Sequence, residues 1–445
     1  MRAVRTVRAV RVALATLLVA ALTLGCGGPR ITRAGDSAAG VELDYTGIAP
    51  ATEISFWSNH PGGSIDTERA LIAEFERQTG IRVNLVTAGA NYEEVSQKFQ
   101  AAQTSRSVGD VVVVSDVTWF GAFLNGSIIP LEPALAAAGI DTGGYRQTLY
   151  DDYLYNGDHY AVPYARSTPI FYYNREFYRR AGLPDRAPET WDEAREFAGR
   201  LRQGGLRVPY FGFPPQDQYV GWTMSNVVWG FGGAWSREWD FGVVADSQTR
   251  DGLQFARSAV TDGWAVVASG DPTTPFAAGA VASVVASTGA LRGILDAATF
   301  DVGVGFLPGG PVERNKVVPT GGAGLAIAAK AAPEKQLAAA MFIAFMTNPA
   351  STATFSAATG YLPVQTAADM SAVYARTPQF KTAVEQLSRA RSQDYARVFL
   401  PGGDRAISGT VQSILTTRTD LGSALDSLRE QLESLYRRDV ESRLN

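Results

Sequence analysis

One short stretch near the middle of the chain, from Val162 to Asn174, constrains the fold most strongly. A proline stands at each end of its polar turn, at Pro163 and Pro169, and proline disfavours helix for the residue before it. The aromatic and β-branched residues that follow favour a strand. The stretch therefore predicts extended chain, a brief crossing and a second strand. An ordinary buried strand is the plainer alternative.

The chain before this stretch alternates strand patterns with helix patterns. Residues 53–57, 81–86 and 110–114 have the composition of strands, and 66–79 and the residues after Asn91 have helical spacing. Strand and helix in alternation, joined by short loops, predict an α/β fold. Ligand sites in such folds lie beyond the carboxyl ends of the strands.

The first residues are typical of export. Four arginines precede an uncharged apolar run, Val12 to Leu24, which is too short to span a bilayer comfortably. Cys26, the only cysteine, follows at once and resembles the acylated residue of a bacterial lipobox, although Thr23 and Leu24 depart from that motif. The alternative is a plain secretory signal with an incidental Cys26. Residues 27 to about 50 suit a flexible tether.

Composition excludes several classes of function. The formal net charge is −4 and no basic block occurs, so no nucleic-acid partner is expected. Two histidines and one cysteine provide no metal-ligand spacing and little choice for a Ser-His or Cys-His pair, so we expect no metal and no cofactor. Acidic residues are plentiful, which leaves a secreted glycoside hydrolase as a remote alternative.

Several motifs together resemble the extracellular solute-binding proteins of ABC importers, in the branch that takes sugars and glycerophosphate compounds. They are the stretch described above, the Pro-x-Thr-Trp-x-Glu helix start at 188–193, the Phe-x-x-Gly segment at 276–279, and Gly-Tyr-Leu-Pro at 360–363. The resemblance covers about Ile54 to Leu432. It implies a two-lobe α/β periplasmic-binding-protein fold with a hinge and an interlobe ligand cleft.

The resemblance also implies a division of the chain. The predicted segments are a signal peptide, 1–25; a lipid-anchored tether, 26–50; lobe 1, 51–163 and 318–372; lobe 2, 164–307 and 373–445; and a crossing segment, 308–317. The protein would be an anchored monomer on the extracytoplasmic face of the bacterial cell membrane. It would hand a small-molecule ligand to the transmembrane subunits of an ABC permease.

Within the family the order of polar and aromatic positions is most similar to the branch that binds sn-glycerol 3-phosphate and glycerophosphodiesters. The ligand contacts that this implies are Tyr92, Asp116, Ser167, Trp222, Ser287, Thr288, Gly322, Tyr361 and Arg405. Asp116 would take glycerol hydroxyls, whereas Ser287, the Gly322 amide and Arg405 would take phosphate. Trp222, preferred over Tyr219, would cover a choline-like head group.

Several of these residues have a structural alternative. Asp116 has the position of a helix N-cap, Ser287 or Thr288 has the position of another, and Arg405 has the usual properties of a solvated surface charge. Tryptophans are mostly core residues. The alternative ligand is a neutral di- or oligosaccharide such as trehalose or maltose, stacked on aromatic rings.

Overall fold

The computed structural model describes residues 43–105 and 108–444. The strands are β1 Glu53–Ser58, β2 Arg82–Thr87, β3 Val111–Ser115, β4 Leu154–Tyr155, β5 Asp158–His159, β6 Val162–Ser167, β7 Pro169–Asn174, β8 Phe211–Phe213, β9 Ala265–Val267, β10 Ser283–Ser287, β11 Val302–Gly305, β12 Val318–Pro319, β13 Gly321–Ile327 and β14 Ala390–Arg391. The α-helices are α1 Ile65–Thr79, α2 Tyr92–Ala102, α3 Trp119–Leu124, α4 Glu132–Ala137, α5 Gln147–Tyr150, α6 Arg175–Arg180, α7 Trp191–Gln203, α8 Val220–Gly230, α9 Ser247–Thr261, α10 Thr273–Ala277, α11 Leu291–Ala297, α12 Pro333–Met346, α13 Pro349–Thr359, α14 Ser371–Arg376, α15 Pro378–Glu385, α16 Tyr395–Val398, α17 Gly403–Thr416, α18 Leu421–Asp439 and α19 Glu441–Leu444.

Two five-stranded mixed sheets organise the molecule. The first has the order β2-β1-β3-β13-β6, with β1 parallel to β2 and β3, and β13 antiparallel to its two neighbours. The second has the order β11-β7-β10-β8-β9, with β7 antiparallel to β10 and β11. Each sheet belongs to one lobe, so the two-lobe α/β fold predicted from the sequence is confirmed.

The chain changes sheet at Thr168. Strand β6 ends at Ser167 in the first sheet, and β7 begins at Pro169 in the second. The side-chain amide of Gln386, which is fully buried, donates to the Thr168 hydroxyl at 3.0 Å and to the Pro169 carbonyl at 2.7 Å. Its carbonyl oxygen accepts the Leu307 backbone N–H at 2.7 Å. One glutamine thus fastens the first crossing to the segment that begins the second.

Local sequence explains the elements that frame these sheets. Helix α1 buries Leu71, Ile72 and Phe75 on one face and ends at Gly80, whose φ of 74° is the left-handed value that glycine adopts readily. The side chain of Thr190 accepts the Glu193 N–H and so caps α7, as the Pro-x-Thr-Trp pattern predicts. The Glu193 carboxylate reaches back to the Glu189 N–H, one residue earlier than in a standard capping box.

The N-terminal segment meets lobe 1 before β1. The Tyr45 ring is buried in the first lobe's core, and its hydroxyl donates to the Gln336 side chain at 2.7 Å. Residues 43–50 therefore pack against lobe 1, although the sequence analysis included them in the tether. Cys26, the predicted signal peptide and the rest of the tether lie outside the described residues. Within 43–105 and 108–444 no helix combines the length and the apolar character that crossing a membrane requires.

The two lobes touch each other in this structure. The Phe399 ring, beyond α16 in lobe 2, lies 4.9 Å from the Phe120 ring and 5.8 Å from the Trp119 ring of lobe 1, measured between centroids. Near the C-terminus, Arg443 donates to the Asn125 side chain at 2.7 Å. Groups from both lobes therefore surround the cleft in this structure.

Candidate functional site

A series of charged side chains extends across the cleft from one lobe to the other. Asp116, directly after β3 in lobe 1, accepts hydrogen bonds from Arg397 Nη1 at 2.7 Å and from Gln393 Nε2 at 3.0 Å. On its other side, Arg397 Nε lies 2.8 Å from Asp404 Oδ1 at the start of α17. Arg397 is only 3% exposed, so these charges are largely removed from water. We call Asp116, Arg397 and Asp404 the cleft triad.

Burial and pairing act in opposite directions within the cleft triad. Burial raises the pKa of Asp404, and the nearby guanidinium of Arg397 opposes that shift. Burial disfavours the charge of Arg397, but the carboxylates of Asp116 and Asp404 raise its pKa above the ordinary value. Arg397 therefore stays charged, because it has a carboxylate on each side.

The cleft triad separates two cavities. Asp404 lines one cavity of ≈ 620 Å³, whose wall also includes Glu93 and Tyr219. Asp116 lines another of ≈ 510 Å³, near Asp152 and Phe399. Both volumes are within the usual range for small-molecule sites. We call the first, whose lining includes the residues on either side of Tyr92, the outer cavity.

Two tyrosines meet beside the cleft triad. Tyr92 begins α2, whose N-cap Asn91 accepts the Glu94 N–H, and Tyr361 follows the glycine that ends α13. Their hydroxyl oxygens are 3.4 Å apart. Burial raises the pKa of both phenols, and for Tyr92 the neighbouring Tyr361 adds to the shift. Both remain neutral hydroxyl donors at physiological pH.

The Tyr361 ring is held between glycines of both lobes. A Cβ built on Gly62, in the loop after β1, would lie 2.9 Å from the Tyr361 ring, and a Cβ on Gly289, after β10, would lie 2.9 Å from it as well. Real Cβ atoms do not approach this closely, so both positions require glycine for this packing. Tyr361 therefore lies against both lobes in this structure.

The predicted hydroxyl residues fall into different environments. Ser287 accepts the Gly289 N–H at 3.0 Å, so the capping alternative holds for its Oγ. Thr288 is buried and its N–H donates to the Thr168 carbonyl at 2.9 Å, which places it at the crossing. Ser167 is buried opposite Gly321 in the β6–β13 ladder, and its hydroxyl has no hydrogen-bond partner within the described residues.

The backbone of Gly322 connects the hinge to the cleft triad. Its carbonyl accepts the Asp116 N–H at 2.9 Å, and its φ is 96°. A Cβ there would lie 2.1 Å from the Ala165 carbonyl oxygen. The glycine thus lets β13 approach β6 closely. The capping alternative for Asp116 is contradicted, because the residue that precedes α3 as its N-cap is Thr118 and the Asp116 carboxylate is occupied by Arg397 and Gln393.

The structure reverses the expected exposure of two aromatic residues. Trp222 is only 6% exposed, its indole N–H donates to the Thr320 carbonyl at 2.8 Å, and its ring covers Gly321. Tyr219, which the sequence analysis ranked below Trp222, is 39% exposed and lines the outer cavity. Trp222 therefore supports the hinge, whereas Tyr219 presents its ring to the cavity.

The predicted phosphate arginine lies at the edge of the site. Arg405 is exposed at the rim of the outer cavity, and no carboxylate pairs with it in the part of the chain that the structure describes. Two arginines with buried guanidinium groups were not among the predicted site residues. One is Arg397 of the cleft triad, and the other is Arg166, a fully buried residue of β6 that pairs with Asp152 and donates to the Tyr153 hydroxyl at 2.8 Å. Arg397 lies in the short helix α16, whose sequence is like that of an exposed helix end. Its burial therefore could not be predicted from the sequence.

The site offers hydroxyl donors, a carboxylate and a guanidinium within one enclosed cleft. Such a set can hold a small polyhydroxylated or anionic molecule by hydrogen bonds. Across residues 43–105 and 108–444, no group of histidine, cysteine, aspartate and glutamate side chains is arranged to hold a metal ion.

Comparison with known proteins agrees with this architecture. The bacterial extracellular solute-binding protein family matches residues 70–382. This chain belongs to that family. Among curated relatives of this solute-binding protein, the sn-glycerol-3-phosphate-binding periplasmic protein UgpB of Pectobacterium atrosepticum is 25% identical over 426 residues, covering 90% of this chain and 95% of the relative. UgpB of Escherichia coli K12 is 25% identical over 432 residues, covering 91% and 98%.

Solved structures give a nearer relative of this solute-binding protein. UgpB from Mycobacterium tuberculosis, solved in complex with glycerophosphocholine, is 43% identical and superposes with a TM-score of 0.83, covering 88% of this chain and 100% of that one. The GacH receptor of Streptomyces glaucescens, at 20% identity and a TM-score of 0.75, shares the fold, covering 86% and 98%. The sequence-based assignment to the solute-binding proteins, in the glycerol-3-phosphate branch, is confirmed.

Proposed function

We propose that the protein is the substrate-binding component of an ABC importer and captures a glycerophosphodiester, or sn-glycerol 3-phosphate, in its interlobe cleft. The observation that carries the proposal is the likeness, at 43% identity over nearly the whole chain, to a protein solved with glycerophosphocholine. The protein would perform no chemistry on its ligand and would deliver it to a permease.

The site suggests how the ligand would be held. The Tyr92 and Tyr361 hydroxyls, with Ser287 and the Gly322 amide, would donate to the phosphate. Asp116 would accept hydrogen bonds from the glycerol hydroxyls while Arg397 holds its carboxylate in place. In this proposal Arg397 positions Asp116, and Arg405, from which the sequence predicts a phosphate contact, lies at the rim of the outer cavity.

Closure would be the signal that the permease reads. The ligand contacts groups of both lobes only when the lobes are closed, so it favours closure by its difference in affinity for the two states. Tyr361 and the cleft triad span the cleft in the closed arrangement. We further propose that the protein acts as a monomer, anchored through Cys26 to the extracytoplasmic face of the membrane.

The test is calorimetric titration of the purified protein with glycerophosphocholine, sn-glycerol 3-phosphate, trehalose and maltose. We expect saturable binding of the phosphate compounds and none of the sugars. Binding of a sugar alone would keep the family and the cleft but overturn the proposed ligand, and it would support the neutral-sugar alternative.

A further inference from the structure

A buried carboxylate lies behind the loop that follows β1. Glu68, in the first turn of α1, is fully buried. Its Oε1 accepts hydrogen bonds from the hydroxyls of Ser58 at 2.9 Å, Ser64 at 3.1 Å and Tyr164 at 3.2 Å. Its Oε2 lies 2.5 Å from His60 Nδ1. Within the described residues no arginine or lysine pairs with this carboxylate, so His60 is the side chain placed to balance its charge.

Both nitrogens of the His60 ring have a partner. Nδ1 faces the Glu68 carboxylate, and Nε2 lies 2.7 Å from the hydroxyl of Thr87 at the end of β2. A charged imidazole donates a hydrogen bond from each nitrogen, so it satisfies both contacts at once. His60 therefore joins α1 to the end of β2 across the loop.

The same carboxylate also holds the backbone of His60. The His60 N–H donates to the Ser58 hydroxyl at 2.9 Å, and that hydroxyl donates in turn to Glu68. His60 has φ 53° and ψ 61°, a left-handed conformation that residues other than glycine and asparagine seldom adopt. The hydrogen bonds of its ring and of its N–H therefore keep the loop in a conformation that the backbone alone disfavours.

This loop lies directly against Tyr361. The turn after His60 contains Gly62, on which the Tyr361 ring packs so closely that a Cβ would lie 2.9 Å from it. On the other side, the Tyr164 ring lies 4.4 Å from the Phe355 ring, which lies 6.1 Å from the Tyr361 ring, measured between centroids. The hydrogen-bonded groups around the carboxylate thus reach Tyr361 through the loop and through the hinge strand β6.

We propose that His60 and Glu68 form a positioning pair for Tyr361, so that ligand affinity depends on a contact behind the binding surface. His60 is a positioning residue, which acts through Tyr361 and does not touch the ligand. The effect on binding rests on the proposed function, whereas the placement of the Tyr361 ring is a property of the protein without ligand.

The first measurement is fluorine NMR of the ligand-free protein containing fluorotyrosine, with the Tyr361 signal assigned by its absence in Tyr361→Phe. His60→Gly suits the left-handed backbone but removes the ring, so the Tyr361 signal should shift. His60→Asn suits that backbone and keeps a side-chain donor near the position of Nδ1, so it should retain the wild-type signal. Thr87→Val, a substitution at an exposed residue, should move the signal in the same direction by less.

The second measurement is calorimetric titration with glycerophosphocholine, well below the melting temperature. We expect His60→Gly to weaken binding about tenfold and His60→Asn to stay within about twofold of the wild type. In a double-mutant cycle His60→Gly should add little to the loss caused by Tyr361→Phe, because both changes act through the Tyr361 hydroxyl. A merely structural role would lower the melting temperature of His60→Gly and leave the affinity of the folded protein unchanged.

His159→Ala is the matched control. His159 Nδ1 also faces a carboxylate of lobe 1, that of Glu132 at 2.7 Å, so its loss should leave the Tyr361 signal and the affinity unchanged.

The positioning role is overturned if His60→Gly leaves the Tyr361 signal unaltered, if His60→Asn shifts it equally, or if the losses in the cycle add in full. Should His60→Gly fail to fold, the Tyr361 signal in Thr87→Val decides in its place, and an unaltered signal there overturns the role. If the wild-type protein binds neither glycerophosphocholine nor sn-glycerol 3-phosphate, the proposed function fails, while the NMR measurement still decides the placement of Tyr361.

Discussion

The floor of the cleft and its mouth use charge in opposite ways. On the floor, Arg397 is enclosed between Asp116 of lobe 1, at 2.7 Å, and Asp404 of its own lobe, at 2.8 Å. At the mouth, Glu93 and Arg405 are exposed and have no ionic partner within the described residues. Buried pairs cost desolvation and hold one geometry, whereas exposed charges cost little and adapt. The floor is therefore suited to hold the common part of a ligand in one geometry. The mouth is suited to accommodate the part that differs between ligands.

The largest expected effect comes from breaking the floor. Arg397→Ala would leave Asp116 and Asp404 as buried carboxylates without their partner, which costs about 3–5 kcal/mol when one member of such a pair is removed. We expect a lowered melting temperature and loss of glycerophosphocholine binding, measured by thermal denaturation and calorimetry.

Arg405→Ala is the matched change at the mouth. Because Arg405 is exposed and unpaired within the described residues, we expect the free energy of unfolding to change by no more than about 0.5 kcal/mol. The affinity for glycerophosphocholine should stay within a few-fold of the wild-type value. The opposite pattern, with binding lost in Arg405→Ala and kept in Arg397→Ala, would indicate that the phosphate binds at the mouth, beside Arg405. It would contradict the role given to Arg397 on the floor.

A smaller effect should follow from filling the space around Tyr361. A Cβ at Gly289 would lie 2.9 Å from two atoms of the Tyr361 ring, and Gly62 prevents the ring from moving away on its other side. Gly289→Ala should therefore oppose closure and weaken binding about tenfold, by the 1–3 kcal/mol typical of overpacking. Small-angle X-ray scattering with ligand should show a larger population of the open form.

Gly293→Ala provides the comparison in the same lobe. Gly293 lies within α11, and a Cβ there would have no atom within 4 Å. Since glycine is unfavourable inside a helix by about 0.5–1 kcal/mol relative to alanine, this variant should be slightly more stable and bind normally. Equal affinity losses in the two variants would show that Tyr361 packing does not control closure.

The sequence predicts the fold well because its signals are local. The two prolines at 163 and 169, the alternation of strand and helix, and the Thr190 cap each act through neighbouring residues. They place the change of sheet within a few residues of Thr168. The Gly-Tyr-Leu-Pro turn likewise brings Tyr361 to the cleft beside Tyr92.

The charged residues of the floor could not be predicted from local sequence, because they come together only in the folded chain. Asp116 and Arg397 are 281 residues apart, and local sequence does not separate the buried Arg397 from the exposed Arg405. Trp222 and Tyr219 show the same difficulty at closer range. Tyr219, with its left-handed backbone, lines the cavity, while Trp222 lies beneath the hinge.

The smallest effect should be a pH dependence at the mouth. Although Glu93 is exposed as a whole residue, partial desolvation of its carboxylate raises its pKa, and the negative charges of Asp404 and Asp116 raise it further, with Arg405 on the same cavity wall as the opposing cation. Glu93 therefore loses its charge at a higher pH than an ordinary glutamate when the solution is acidified. The affinity for glycerophosphocholine, whose head group is cationic, should fall as the pH is lowered from 7 toward the ordinary glutamate value.

Glu93 should affect stability with the opposite sign. A raised pKa in the folded state means that the folded protein holds the proton more tightly than the unfolded chain does. The stability from this group is thus present below pH 4.5, the ordinary value, and is lost as the pH rises through the raised one. Glu93→Gln should remove both dependences, as measured by calorimetry and thermal denaturation across this range. If the affinity for glycerophosphocholine still falls with acid in that variant, the titrating group is Asp404, whose pKa burial also raises, and the pH dependence belongs to the edge of the floor rather than to the mouth.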